Sequence, residues 1–175
     1  MSKMPKQKPG SSKQGYETPP EFIKAVERRF GKIHVDLAAT DRSCSRGCHF
    51  ISPEQDSLSD AVDWMDWGLI DISDKRHRCA WLNPPFADLE PWMMKALAYS
   101  NEAREKKLWA MPLVMLTPAS IGTNWFANVV HGNALVLGLS PRITFVGETQ
   151  GYPKDLMLTV WNCGVRGFDC WRWDR

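Results

Sequence analysis

The run Cys79-Ala80-Trp81-Leu82 is short and apolar, and it stops at Asn83-Pro84-Pro85-Phe86. Two successive prolines fix φ twice and remove two backbone donors, so no strand ladder continues through them. "CAWL" therefore reads as a buried strand that ends at Asn83. The same change of period recurs along the chain. "PPEFIKAVERRFG" places Phe22, Val26 and Phe30 at i, i+4 and i+8, with Pro19 and Pro20 at its entrance and Gly31 at its exit, and predicts a helix. "KIHVDLAAT" predicts a strand running into a loop, residues 40 to 57 are turn-rich, and "LSDAVDWMDWG" predicts a short helix. Asp88 is the expected N-cap of a helix carrying Trp92, Ala96, Tyr99 and Ala103. "PLVMLTPA" and "ALVLGLS" read as strands around a helix in "GTNWFANVVHG", which Gly132 closes. "RITFV" and "LMLTVW" follow each other with no helix between them and are expected to pair as an antiparallel hairpin. Strands alternating with helices imply an α/β sheet covered on both faces, with ligands bound beyond the carboxyl ends of its strands.

Asn83 then lies at such an end, beside the exit of "VDLAAT". The stiff loop offers carbonyl oxygens and few donors; Asn83 adds a side-chain carbonyl whose direction its own amide can hold, and Phe86 adds a flat apolar face. An exocyclic amino group on a nucleobase matches this set, because it carries two N–H donors in the plane of a ring that stacks. Accepting both N–H bonds, at the Asn83 side chain and the Pro84 carbonyl, pulls the nitrogen toward tetrahedral geometry and exposes its lone pair. The same acceptors stabilise the positive charge that develops as it attacks an electrophilic carbon. Neither a metal nor a strong base is required.

Other chemistries find less support. Cys44 and Cys48-His49 lack a second Cys/His pair at finger spacing, so no metal site is expected. Ser120 and His131 lack a Gly-x-Ser-x-Gly elbow. Five cysteines form no paired framework and suit reduced thiols. No apolar run reaches about 18 residues and the N-terminus has no apolar signal core, so neither a membrane span nor export is expected, and the expected compartment is the cytoplasm.

The motif Asn83-Pro84-Pro85-Phe86 after an apolar strand resembles the catalytic motif of amino-group methyltransferases that use S-adenosylmethionine. The wider pattern is "YETPPEFIKAVERRFGKIHVDLAAT", "EQDSL", "WLNPPF", "PWMMKA", "VMLTPAS", "NWF" and "PRITF", from about Tyr16 to Phe145. It resembles the Dam-like phage family of DNA N6-adenine methyltransferases.

The resemblance implies an α/β, Rossmann-like methyltransferase fold with a mostly parallel sheet and a C-terminal antiparallel hairpin. Residues 1–15 are expected to form a disordered basic tail and 16–175 one methyltransferase domain. Asn83, Pro84, Pro85 and Phe86 become the catalytic loop, with Phe86 receiving an adenine flipped out of double-stranded DNA. Tyr16, Thr18 and Pro19 in "YETP", Asp36 and Ala38 in "VDLAAT", and Asp56 in "EQDSL" become cofactor-binding positions. Thr18-Pro19 lies near the methionine end of S-adenosylmethionine, and Asp56 accepts from its ribose or adenine amine. No Gly-x-Gly follows the first strand, and Ser57 stands where the family often has glycine. Arg142 in "PRITF" either contacts DNA phosphate, supports the site or forms a surface salt bridge. Methylation of cytosine N4 or of a protein glutamine uses the same amine chemistry, and a silent nucleic-acid-binding protein on this fold is the alternative outside enzymes. The oligomeric state stays open. If the protein is phage-encoded, its compartment is the host cytoplasm.

Net charge is only +2, so a polyanionic partner has to be argued from where the charge sits. Lys75–Arg78 and Arg104–Lys107 are basic clusters that also suit a solvated face. Lys3, Lys6, Lys8 and Lys13 lie in a Pro/Gly/Ser/Gln-rich stretch with little apolar surface to bury, which suits phosphate contacts that read no bases. Deleting residues 1–13 is expected to weaken DNA binding equally for all sequences. It should also flatten the salt dependence by up to about 0.9 log unit per log salt for each phosphate no longer neutralised. A salt titration of both forms checks this, and an unchanged slope contradicts it.

Overall fold

The computed structural model describes residues 15–39, 48–68, 78–108 and 110–174. Its elements are α1 (Pro20–Phe30), β1 (Lys32–Asp36), β2 (His49–Phe50), α2 (Trp64–Gly68), β3 (Arg78–Leu82), α3 (Glu90–Glu105), β4 (Leu113–Pro118), a π-helical turn (Phe126–Val130), β5 (Leu135–Ser140), β6 (Leu156–Trp161) and β7 (Gly167–Arg172). The seven strands form one sheet in the order β2-β1-β3-β4-β6-β5-β7. Pairing is parallel from β2 through β4 and between β5 and β7; β6 alone runs antiparallel, to both β4 and β5.

The central strands are buried on both faces, and their side chains divide with period two. Cys79, Trp81, Val114, Leu116, Leu158 and Val160 face α1, which contributes Phe22, Ile23 and Val26. Ala80, Leu82, Leu113, Met115, Met157 and Trp161 face α3, which contributes Trp92, Met93, Ala96, Tyr99 and Ala103. α1 starts on Pro20, where a missing N–H costs nothing, and ends at Gly31, whose φ of 101° suits a residue without Cβ. Among the described residues, no helix is long and apolar enough to cross a membrane.

Several expectations need correction. "RITFV" is not a strand: β6 pairs antiparallel with β5 and β4, so both of its sides are taken and residues 142–146 cannot pair with it. They instead bury Ile143 and Phe145 on the α1 face. Asp88 does not cap α3; the residue before the helix is Leu89, in helical conformation, and Pro91 in the first turn removes one of the donors a cap would serve. "GTNWFANVVHG" yields a π-helical turn instead of an α-helix of that length. β7 was not foreseen. It is an exposed edge strand whose Trp171, with Trp173 just beyond, packs on Phe22.

Phe22 is fully buried against Trp81, Trp171 and Trp173, with ring centroids 6.3, 5.9 and 5.1 Å away. It thereby joins α1 to the central sheet and to the C-terminal segment. Phe22→Ala is expected to destabilise the fold by about 3–5 kcal/mol, read from the denaturant midpoint at constant m-value, and a loss below about 1 kcal/mol would contradict this packing role.

Candidate active site

A cavity of about 570 Å³ opens at the carboxyl ends of β1, β2 and β3. Its walls include Tyr16 and Thr18, Asp36 and Ala38, Asp56, Asn83 and Pro85. The segment before α1, the first strand's exit, the "EQDSL" turn and the Asn-Pro-Pro loop thus meet at one place, although Tyr16 and Asn83 alone are 67 positions apart in the chain. Pro19, Pro84 and Phe86 are not on the cavity wall. Pro19 is buried, and its carbonyl accepts from the Phe22 and Ile23 N–H groups at the start of α1.

Backbone bonding explains how the first strand delivers Asp36. Leu37 N–H donates to the Trp81 carbonyl at 2.8 Å and Ile51 N–H to the Asp36 carbonyl at 2.9 Å, so the ladder extends past β1 on both sides. Asp36 Oδ1 accepts the Ala38 N–H at 3.1 Å, a side-chain-to-backbone turn that swings the chain around the cavity without a glycine.

The turn carrying Asp56 is assembled differently. Asp56 has φ of 49° and its Oδ1 accepts the Leu58 N–H at 3.1 Å. The left-handed residue is therefore the aspartate, which tolerates that conformation, and the absence of glycine at 57 imposes no strain. Ser57 is buried, its hydroxyl and carbonyl oxygens both accepting from Trp64 Nε1. Lys95 of α3 donates to the Ser59 and Val62 carbonyls at 2.8 and 2.7 Å. Burial draws its ammonium below the usual lysine range, against the opposing pull of Asp60, Asp63 and Asp56. Lys95, Trp64 and Ser57 were missed as site-building residues; the only trace was a lysine on the otherwise apolar "PWMMKA" stretch.

Asn83 follows β3 directly. Its Nδ2 donates to the Tyr16 carbonyl at 2.7 Å and to Thr18 Oγ1 at 3.2 Å. A carbonyl can only accept, so the nitrogen end of the amide must face Tyr16, and Oδ1 points away. Oδ1 is shielded from water and has no hydrogen-bond partner among the described residues. Among the described residues, two other buried side-chain polar atoms share this condition, Thr117 Oγ1 and Asn162 Nδ2, and neither residue lines the cavity. An acceptor left in this state costs about 1–3 kcal/mol, which a ligand donor can recover.

Phe86 is half-buried in a cluster of rings. Tyr16 stacks on it at 5.9 Å with an interplanar angle of 29°, while Phe145 and Tyr152 approach edge-on at 6.2 and 5.7 Å. Arg142 takes the salt-bridge option: it donates to the Pro153 carbonyl and to Asp155 Oδ1, both at 3.0 Å, and so closes the loop that carries Phe145 and Tyr152. Arg104–Lys107 ends α3, whose 16 residues lead away from the Asn-Pro-Pro loop, so this cluster lies about 24 Å along the helix from the cavity end. Lys3, Lys6, Lys8 and Lys13, together with Cys44 and Lys75–His77, lie outside the described residues. Cys79 is inert as a nucleophile, since burial pushes its thiol up to about 12 and its Sγ donates to the Gly31 carbonyl.

A cavity beyond the carboxyl ends of parallel strands, with a single reversed strand, β6, inserted between β4 and β5, defines the Rossmann-like methyltransferase class. The family model described as DNA N-6-adenine-methyltransferase (Dam) matches residues 5–159, and the chain belongs to that family. A DNA N-6-adenine-methyltransferase of Escherichia phage T1 is 27% identical over 131 residues, 74% of this chain and 46% of that protein. One of Haemophilus phage HP1 is 26% identical over 147 residues, 83% of this chain and 73% of that protein. The match thus spans less than half of the first relative. A predicted O-methyltransferase from Agrobacterium tumefaciens is 15% identical, with 86% and 85% of the two chains covered and a TM-score of 0.43.

The ring cluster gives Phe86 a packing role whatever else it does. Phe86→Ala is expected to lower stability by about 1–3 kcal/mol, less than a fully buried ring would cost, while Phe86→Tyr keeps the fold. Thermal denaturation checks this, and an unchanged Tm in Phe86→Ala would leave stacking on a ligand as its main role.

Proposed function

We propose that the protein transfers the methyl group of S-adenosylmethionine to the N6 amino group of adenine in double-stranded DNA. Membership of the Dam family supports the substrate and the reaction. The observation that carries the reading to particular residues is the buried, unpartnered Oδ1 of Asn83 in a residue lining the cavity, its amide nitrogen already committed to Tyr16 and Thr18.

The cavity suits the cofactor. Its volume of about 570 Å³ lies within the usual range for small-molecule sites, and Asp36 and Asp56 on its wall offer carboxylate acceptors for hydroxyl and amino donors. Asp36, Ala38 and Asp56 would hold the nucleoside part, and the Tyr16–Thr18 side of the cavity would border the methionine part. When bound, S-adenosylmethionine supplies a methyl carbon made electrophilic by a neighbouring sulfonium.

The protein's own contribution is made at the amine. Asn83 Oδ1 accepts one N6 hydrogen and the Pro84 carbonyl the other, so the nitrogen's lone pair is released from the ring and turned toward the cavity. As positive charge grows on the nitrogen, both bonds strengthen, which favours the transition state over the bound base; once the methyl group has left sulfur for nitrogen, the now acidic cationic nitrogen releases one proton to solvent. Because Oδ1 is shielded from water, binding of the base includes an opening step at this atom. The adenine reaches it only when flipped from the duplex, and Phe86 with its neighbouring rings offers an apolar face beside the loop. Duplex contacts are assigned to Lys3, Lys6, Lys8 and Lys13, and the domain to residues 16–175. The protein would act in the cytoplasm of the cell that holds its DNA.

Asn83→Ala is expected to lower kcat by about 100- to 1,000-fold, as does loss of a comparable preorganised hydrogen-bonding group elsewhere, while leaving cofactor affinity in calorimetry near its original value. Wild-type turnover by Asn83→Ala with both substrates saturating would overturn the assignment of the site.

A further inference from the structure

The segment Gly15–Pro19 crosses the cavity as a strap with three anchors. The Tyr16 ring packs against Phe145 and Tyr152 as well as Phe86, Glu17 accepts the Val146 N–H at its carbonyl (3.0 Å), and the Pro19 carbonyl caps α1. Between these anchors the Thr18 side chain is held in a buried position, 7% exposed.

An asparagine amide rotates broadly about its last side-chain torsion, so packing alone leaves its plane poorly defined. Here the NH2 group has two hydrogens and two acceptors, the Tyr16 carbonyl and Thr18 Oγ1. One acceptor fixes which end faces the strap; two fix the plane, and with it the direction in which Oδ1 presents its lone pairs. Donation by both N–H groups also polarises the amide and makes Oδ1 a stronger acceptor.

We infer that Thr18 is a positioning residue which acts through Asn83, setting the plane of its amide, instead of a contact to the cofactor. This rests on the assignment of Asn83 as the acceptor for the substrate amine. The hydroxyl is the variable part of the device, because the Tyr16 acceptor is backbone and survives any substitution at position 18.

Thr18→Val keeps the shape and removes the acceptor; Thr18→Ser keeps the acceptor and removes a methyl group. With the full chain, kcat and KM for duplex DNA are measured beside the calorimetric Kd for S-adenosylmethionine and Tm. Thr18→Val is expected to lower kcat roughly 3- to 10-fold, the worth of one hydrogen bond, with cofactor Kd within about twofold. Thr18→Ser is expected to restore kcat, and adding Thr18→Val to Asn83→Ala to cause no further loss.

The inference falls if Thr18→Val weakens cofactor binding and leaves saturated turnover intact, which would mark a cofactor contact. It falls equally if serine fails to restore turnover, or if the losses at the two positions multiply. In those cases a slow Asn83→Ala still supports the site itself, whereas wild-type turnover by Asn83→Ala removes both the site and the strap's role.

Discussion

The Asn83 side chain can meet the cavity with either end, and the choice decides whether the site offers donors or an acceptor. The Tyr16 carbonyl makes the choice, since it accepts and cannot donate. Among the described residues, one buried carbonyl oxygen is thereby kept without a partner beside a ligand-sized cavity, a local cost of the kind that folds concentrate where they bind. Under the proposed function that oxygen would receive a nucleobase amine, while the carboxylates of Asp36 and Asp56 on the same cavity wall are left to the cofactor.

The rest of the fold holds the two sides of that contact at a fixed distance. β3 lies between β1 and β4 with four of its five residues buried, so the start of the Asn-Pro-Pro loop moves only with the centre of the sheet. The strap is fixed by α1, which packs on the same strand through Phe22 and Trp81. On the far side, the loop between β5 and β6 is closed by Arg142 and places Phe145 and Tyr152 against Tyr16. Lys95 does the same for the Asp56 turn by reaching from α3 to two of its carbonyls. Cavity and Asn-Pro-Pro loop are thus served by groups from both faces of the sheet.

Much of this was legible in the sequence because it is local. The 3.6-residue period of α1, the closed apolar runs of β3 and β4, and the proline stop after Asn83 each need only a few adjacent residues to declare themselves. The meeting of Asn83 with the exit of "VDLAAT" followed from the sheet pattern, whereas the approach of Tyr16, Thr18 and Asp56 was legible only through family resemblance, since no spacing rule connects a strap to a loop 67 positions later. What was not legible depends on partners distant in sequence. "RITFV" has the composition of a strand, but both sides of β6 are taken by β4 and β5, and β7 is exposed along most of its length, with Trp171, and Trp173 just beyond it, packed on the distant Phe22. Lys95 looks like any solvated helix lysine until its ammonium is found on carbonyls 33 and 36 positions earlier. Phe86 read as an open stacking face because its three ring neighbours come from both ends of the chain.

The proposed function, which rests on family membership and an oriented amide acceptor, implies one chemical outcome, a methyl group on an exocyclic purine nitrogen. The most direct measurement incubates the full chain with duplex DNA and S-adenosylmethionine labelled in its methyl group, then digests the DNA to nucleosides and separates them. The account predicts label in N6-methyl-2′-deoxyadenosine. Label confined to N4-methyl-2′-deoxycytidine, or DNA left unlabelled by a protein that binds both the cofactor and the duplex, would contradict it.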